Sequence, residues 1–298
     1  MDTLKSLKIK EWRLIMMKKR NVMILFSATV ALTLAACGSK EQSSSTSSNA
    51  AKTKYASEVT HDGTPIKGGT LKYAIVSSSP FSGVFADELS ADTNDSTIGG
   101  LLDESMFEYD ENRKLTNTGL ASIEFDVENK TATVTLNSKD YKWSDGQPVT
   151  IDDYIFAYQA IGNKDYTGVR YDDDYKNVVG MEDYHDGKAD SVSGLEKVDD
   201  YTVKIHFKEM SPSMQLAGGS VCAYIMPKHI FKDIPEAEWE KSDYVRGTKF
   251  VGLGQFKIES IVAGESVTLV PNEHYFRGVA KVDKVVMEVV SPDNIVSE

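Results

Sequence analysis

Two cysteines, five histidines and eight prolines are spread over 298 residues, and each scarcity removes a class of explanation. Cys37 and Cys222 allow at most one pairing, so no disulfide framework holds this chain together. His61, His185, His206, His229 and His274 are scattered with no Cys or His at ligand spacing, which argues against zinc. Asp172-Asp173-Asp174 lacks the alternating oxygen ligands and the glycine of a calcium loop, and reads as a solvated acidic stretch. Gly218-Gly219-Ser220-Val221-Cys222 lacks the second glycine of a nucleophile elbow, and a thiol among apolar neighbours is ordinarily an inert core group. No nucleophile, base and metal set converges, so neither an enzyme nor a cofactor is expected.

Positive charge is also in deficit. The chain has 33 Lys and Arg against 45 Asp and Glu, a net charge of −12. Without residues 1–36, which hold seven basic and two acidic residues, 26 face 43 and the charge is −17. Such a body cannot neutralise phosphates, which excludes nucleic acid and anionic surfaces as partners. Solubility is a sufficient reason for the acidity.

A long apolar run is missing too. Val22 to Ala36 spans 15 residues, against the roughly twenty a membrane-spanning helix needs. Lys18-Lys19-Arg20 precede this run and Leu34-Ala35-Ala36-Cys37 end it, the layout of a secretory signal over residues 17–36. Leu-Ala-Ala-Cys resembles a bacterial lipobox, which implies cleavage before Cys37 and a diacylglyceryl group on its sulfur. Plain cleavage beside a coincidental cysteine is the alternative. Each buried methylene of a lipid chain contributes about 0.8 kcal/mol, enough to hold a soluble body at the outer membrane face. Trp12-Arg13 is compatible with the bases TGGAGG just ahead of Met16, so residues 1–16 are expected to lie upstream of the true start. The serine-rich stretch 37–64 cannot bury enough apolar surface to fold and reads as a tether carrying the folded body, 65–298.

What is present centres on Lys142 to Ile161, KWSDGQPVTIDDYIFAYQAI. Ser144-Asp145-Gly146 supplies turn chemistry. Thr150 is a good helix N-cap, with Asp153 three residues on approximating a capping box. Ile151, Tyr154, Ile155 and Tyr158 then form one apolar helical face. On local physics this is a packed strand–turn–helix corner. Strands are expected at Thr70 to Val76, Thr131 to Leu136, Tyr201 to Phe207, Lys257 to Val262, Ser266 to Val270 and Val282 to Val290, and a polar loop over 163–190. Strands and helices mix without a regular βαβ repeat, so the class is α/β with mixed sheets; 41% apolar residues are ample for its core.

KWSDGQPVT with its Asp-Asp-aromatic helix resembles the signature of the family 5 solute-binding lipoproteins that feed peptides to ABC importers. IKGGTLKYAIV (66–76), MPKHIF (226–231) and VAGESVTLVPNEHYFRG (262–278) follow in the family's order, and the type is that of lactic-acid bacteria. The resemblance covers nearly all of residues 65–298. It implies a periplasmic-binding-protein-like (type II) lobe, with the second lobe missing because the family runs to about twice this length. It also implies an extracellular, lipid-anchored, Gram-positive protein with oligopeptide and ABC permease subunits as partners. The ligand-facing segment would be Ser77, Ser78, Ser79 and Phe81, although turn propensity explains those serines equally well. Gly218, Gly219 and Ser220, and Gly254-Gln255, are further positions at the cleft edge. Where the family has Gly-Thr-Gly-Pro, this chain has Gly252-Leu253-Gly254-Gln255, so that loop is expected to shift. With one wall absent, the half-chain is expected to bind peptide weakly or not at all. The alternative is a relic or surface interaction protein from a truncated or split gene.

Overall fold

The computed structural model describes residues 63–64, 67–217 and 221–294. The signal, Cys37 and the tether up to residue 62 lie outside these residues, as do Gly218, Gly219 and Ser220. In chain order, β1 (Thr70–Val76) is followed by α1 (Thr93–Leu102), β2 (Glu108–Tyr109), β3 (Leu115–Thr116), β4 (Ala121–Asp126) and β5 (Thr131–Leu136). Then come α2 (Ile151–Gly162), α3 (Asp173–Lys176), α4 (Met181–His185), β6 (Leu195–Asp199) and β7 (Thr202–His206). The short helices α5 (Lys228–Phe231), α6 (Glu236–Trp239) and α7 (Asp243–Arg246) lead to β8 (Phe256–Val262), β9 (Ser266–Pro271) and β10 (Lys284–Val290).

Two four-stranded sheets form among the described residues, with buried positions alternating along β5, β7, β9 and β10. The first has the order β1-β10-β9-β8 and is mixed: β1 runs parallel to β10 while β9 pairs antiparallel with both of its neighbours. Thr70 faces Lys284 and Val76 faces Val290, so the first and last described strands lie side by side. The second sheet, β4-β5-β7-β6, is antiparallel throughout. Val203, Ile205 and Phe207 point inward from it as their spacing requires, and Ala132 and Val134 do the same from β5. The expected mixture of sheets is therefore what forms.

The polar stretch 163–190 departs from expectation. It contains α3 and α4 rather than loop alone, because Tyr175, Val178 and Met181 are buried among its acidic neighbours and anchor the turns. α1, β4 and β6 also form where no strong local pattern announced them.

α2 joins the layers. Ile151, Tyr154, Tyr158 and Ile161 are buried along one face, with Ile155 half-buried beside them. The Thr150 N–H donates to Asp153 Oδ2 at 2.9 Å, the acidic half of the expected capping box. Trp143, from the preceding turn, is fully buried. Among the described residues no helix is long and apolar enough to cross a membrane.

Candidate functional site

α1 organises three of the segments singled out by sequence. Its ten residues make a rod of about 15 Å, with the loop that follows β1 at one end and the loop after Phe250 at the other.

At the N-terminal end, Asp92 caps α1 by accepting from the N–H groups of Asn94 and Asp95 at 2.8 and 3.1 Å. Asn94 Nδ2 then donates to Ser77 Oγ at 3.1 Å and to the Ser79 carbonyl at 3.0 Å. The N–H of Ser79 also donates to Ser77 Oγ, at 3.1 Å. Asp95, fully buried, accepts from the Ser82 hydroxyl and from the N–H groups of Gly83 and Val84. The 77–84 loop is thus stapled to the start of the helix. Ser78 and Ser79 are exposed and Ser77 is half-buried. Phe81 is buried with its ring centroid 5.9 Å from that of Phe85, so it supports the loop from beneath.

At the C-terminal end, Gly254 is buried and donates its N–H to the Leu102 carbonyl at 2.9 Å, while its own carbonyl accepts from Asn272 Nδ2 at 2.8 Å. A Cβ at Gly254 would lie 2.5 Å from Leu101 O and 2.6 Å from Asp103 N, so only glycine allows this approach. Leu253 N–H donates to Asp103 Oδ1 at 3.1 Å and Ser144 N–H to the Gly252 carbonyl at 3.0 Å, tying the loop to the KWSDG turn. Gln255 is exposed. The Gly218–Ser220 stretch is outside the description, but Val221 to Ile225, which follows it, packs here: the Met106 N–H donates to the Ala223 carbonyl at 2.9 Å.

Two cavities of about 370 Å³ share the Ala223–Tyr224 wall. One opens beside Tyr158, Arg170, Asp172 and Tyr175. The other is bounded by Asp87, Glu88, Asp103 and Glu104. Burial, and next the charge of Asp103, hold the Glu88 carboxyl well above the usual carboxylate range. Burial likewise pushes Asp103 up to about 7, although backbone N–H groups oppose it. Asp87 is raised by burial in spite of the Arg170 guanidinium nearby. Cys222, between Tyr158 and Tyr154, is pushed up to about 12 by burial, leaving an inert thiol. No group of three or more His, Cys, Asp or Glu among the described residues is placed to hold a metal ion.

Glu88, Asp103, Arg170 and Tyr224 are absent from the sequence-based site. The signal for Glu88 was the acidic pair Asp87-Glu88 set inside the apolar run from Phe85 to Leu89. Arg170 lay hidden in the polar 163–190 stretch.

Comparisons with known proteins agree on one family. The chain matches the model of the bacterial extracellular solute-binding proteins, family 5 Middle, over residues 117–297. It is 37% identical over 283 residues to the oligopeptide-binding protein OppA of Lactococcus lactis subsp. lactis, covering 92% of this chain and 47% of that protein. Identity to the oligopeptide-binding protein AppA of Bacillus subtilis is 27%, over 93% of this chain and 46% of the relative. The chain thus spans about half the length of these relatives. In three dimensions it superposes on lactococcal OppA, solved in a closed conformation with an endogenous peptide, at a TM-score of 0.72 and 38% identity over 77% of this chain and 43% of that one. Against B. subtilis AppA in complex with a nonapeptide the TM-score is 0.60, with 27% identity over 76% of this chain and 41% of the other. The fold is that of a type II periplasmic-binding-protein lobe, and the chain belongs to the family 5 bacterial extracellular solute-binding proteins.

Proposed function

We propose that this chain is one lobe of an oligopeptide receptor that captures peptides outside the cell and hands them to an ABC importer. The family is one of binding proteins rather than enzymes. The observation that carries the peptide reading is the likeness, at 38% identity, to an OppA structure that holds a peptide. The surface along α1 suits that role: exposed Ser78 and Ser79 lie at one end and Gln255 at the other, about 15 Å apart along the helix. An extended peptide covers that distance with about five residues. Backbone pairing of a strand-like peptide gives affinity with little dependence on side chains.

Secretion and lipidation at Cys37, supported by the Leu-Ala-Ala-Cys sequence, complete the reading with a Gram-positive cell surface. Palmitate labelling of the expressed chain, lost in Cys37→Ser, tests the anchor. Because the chain covers 47% of lactococcal OppA, it supplies one wall of a two-walled cleft. Micromolar affinity corresponds to about −8 kcal/mol and half of that to about millimolar, so the chain by itself binds peptides in the millimolar range or more weakly. Equilibrium dialysis against mixed oligopeptides, amino acids and oligosaccharides, read by mass spectrometry, tests the ligand class. Selective retention of oligopeptides supports it, and retention of another class instead overturns it. Micromolar calorimetric binding would contradict the one-wall account.

A further inference from the structure

We infer that the cavity between the Asp87–Glu88 segment, the end of α1 and the Ala223–Tyr224 wall receives a cationic side chain, the guanidinium or ammonium of an arginine or lysine in a bound peptide. This rests on the peptide-binding reading above and narrows its substrate class.

Size and charge are the first grounds. At about 370 Å³ the cavity lies within the range of small-ligand sites. Four carboxyl groups line it and no Lys or Arg does. Two of the four are already occupied: Glu104 Oε1 accepts the Tyr275 hydroxyl at 2.6 Å, and Asp103 Oδ1 accepts the N–H groups of Glu104 and Leu253. Each of the other two keeps one buried oxygen without a hydrogen-bond partner: Oε2 of Glu88, which is 4% exposed, and Oδ1 of the half-buried Asp87, whose carboxyl is also reached by the Ser96 side chain. A buried carboxylate oxygen without a donor costs free energy that a cation with several N–H groups would offset.

The nearest cation does not fill this role. Arg170 Nη2 donates to the carbonyls of Asp87 and Ser90, at 3.1 and 3.2 Å, and its guanidinium lies 5.4 Å from the centre of the Tyr224 ring. Its N–H groups are therefore directed at backbone from behind the wall. A metal ion is a poor fit, since among the described residues no three His, Cys, Asp or Glu groups are placed to hold one. An organic cation needs only a carboxylate pair and an apolar wall for its stem, and Tyr224 with Ala223 supplies that wall.

Proton exchange follows from the same geometry. Glu88 faces Asp87 on its own loop, Asp103 at the end of α1, and Arg170; Tyr166 donates its hydroxyl to the Glu88 carbonyl, and Tyr224 and Cys222 stand behind. Burial raises the Glu88 carboxyl well above the ordinary range and so favours its protonated form. An arriving cation favours the ionised form, so binding releases a proton and strengthens as pH rises.

The test is a titration of the full chain, with ¹³C-labelled glutamate, by N-acetyl-arginine methylamide and by its norleucine counterpart. A saturable shift of the Glu88 carboxyl carbon with the arginine compound alone is expected, and a silent Glu88 overturns the proposal. In Glu88→Gln, the amide shifts of Ala223 and Tyr224 caused by the arginine compound should vanish; their persistence also overturns it. Glutamine matches the protonated carboxyl in size, and should that variant fail to fold, the wild-type titration decides alone. Host peptides differing only by lysine or norleucine should show a preference of about tenfold for lysine. Peptide binding with a silent Glu88 defeats this inference and leaves the receptor reading intact. A responsive Glu88 in a chain that retains another ligand class instead of oligopeptides sustains the cation site and defeats the receptor reading.

Discussion

The carboxylate of Asp153 accepts the backbone N–H of Lys228 at 3.0 Å, across 75 positions of sequence. The same carboxylate takes the Thr150 N–H at 2.9 Å and the indole N–H of Trp143 at 3.4 Å. One buried side chain therefore unites the KWSDG turn, the start of α2 and the segment leading into α5. Burial raises its carboxyl from the ordinary value, and these donors oppose the shift.

Asp153→Ala leaves those N–H groups inside without an acceptor. Each such loss costs about 1–3 kcal/mol, so the variant should lose about 3 kcal/mol or more in urea denaturation. Asp153→Asn keeps an acceptor oxygen and should lose less than half as much.

Gly254→Ala and Gly100→Ala form a contrasting pair. A methyl at Gly254 meets Leu101 O and Asp103 N within 2.6 Å, whereas at Gly100 nothing lies within 4 Å. The first should destabilise by about 1–3 kcal/mol through forced displacement of the loop. The second, in an exposed helical position, should be neutral or stabilise by up to about 1 kcal/mol. Thermal melts of both variants check this.

Glu88 and Asp103 make stability depend on pH in an unusual direction. Their folded values lie above the ordinary carboxylate range, with Asp103 at about 7, so the folded state binds more protons than the unfolded one over that interval. Stability should fall as pH rises from about 4 to about 7, by up to about 1.4 kcal/mol per unit from Asp103, with Glu88 acting in the same sense. Glu88→Gln should flatten that slope. Glu108, held low first by the Thr118 hydroxyl and then by Arg277, acts in the opposite sense: its contribution is lost only as pH falls below the ordinary range.

Cys222 should resist thiol reagents in the folded chain. Its thiol is pushed up to about 12 by burial, so the thiolate fraction near pH 8 is about one in ten thousand. A Cys37→Ser chain should show no fast reaction with a disulfide reagent until urea exposes the remaining sulfur. Fast reaction without denaturant would contradict the buried placement.

Among the described residues β1 is an edge strand, with Leu71 54% and Tyr73 50% exposed on one face. An unpaired strand edge beside apolar side chains invites pairing with another chain. Sedimentation velocity should show association that grows with concentration and weakens in Tyr73→Lys.

Short-range patterns carried much of this fold. Alternation placed β1, β5 and β7, and the Thr150 cap with the apolar stripe placed α2, because those elements answer to neighbours within a few residues. α1 was not visible: Thr93 to Leu102 contains β-branched residues and a Gly-Gly pair, and it forms through the Asp92 cap and the loops stapled to each end. Turns α3 and α4 were hidden under acidic composition, since burial of Tyr175, Val178 and Met181 is settled by distant partners. The acidic cavity was illegible for the same reason. Glu88, Asp103 and Tyr224 meet only after three remote segments pack, whereas a single sequence exposes only their local polarity.

The most direct test of the central claim is a ¹⁵N chemical-shift map of the full chain titrated with a millimolar mixed oligopeptide library. Shifts confined to residues 77–91, 221–226 and 252–255 are expected, saturating in the millimolar range. Shifts on the β4-β5-β7-β6 sheet instead, or none at all at saturating peptide, would contradict the assignment of the α1 surface as the peptide-facing wall.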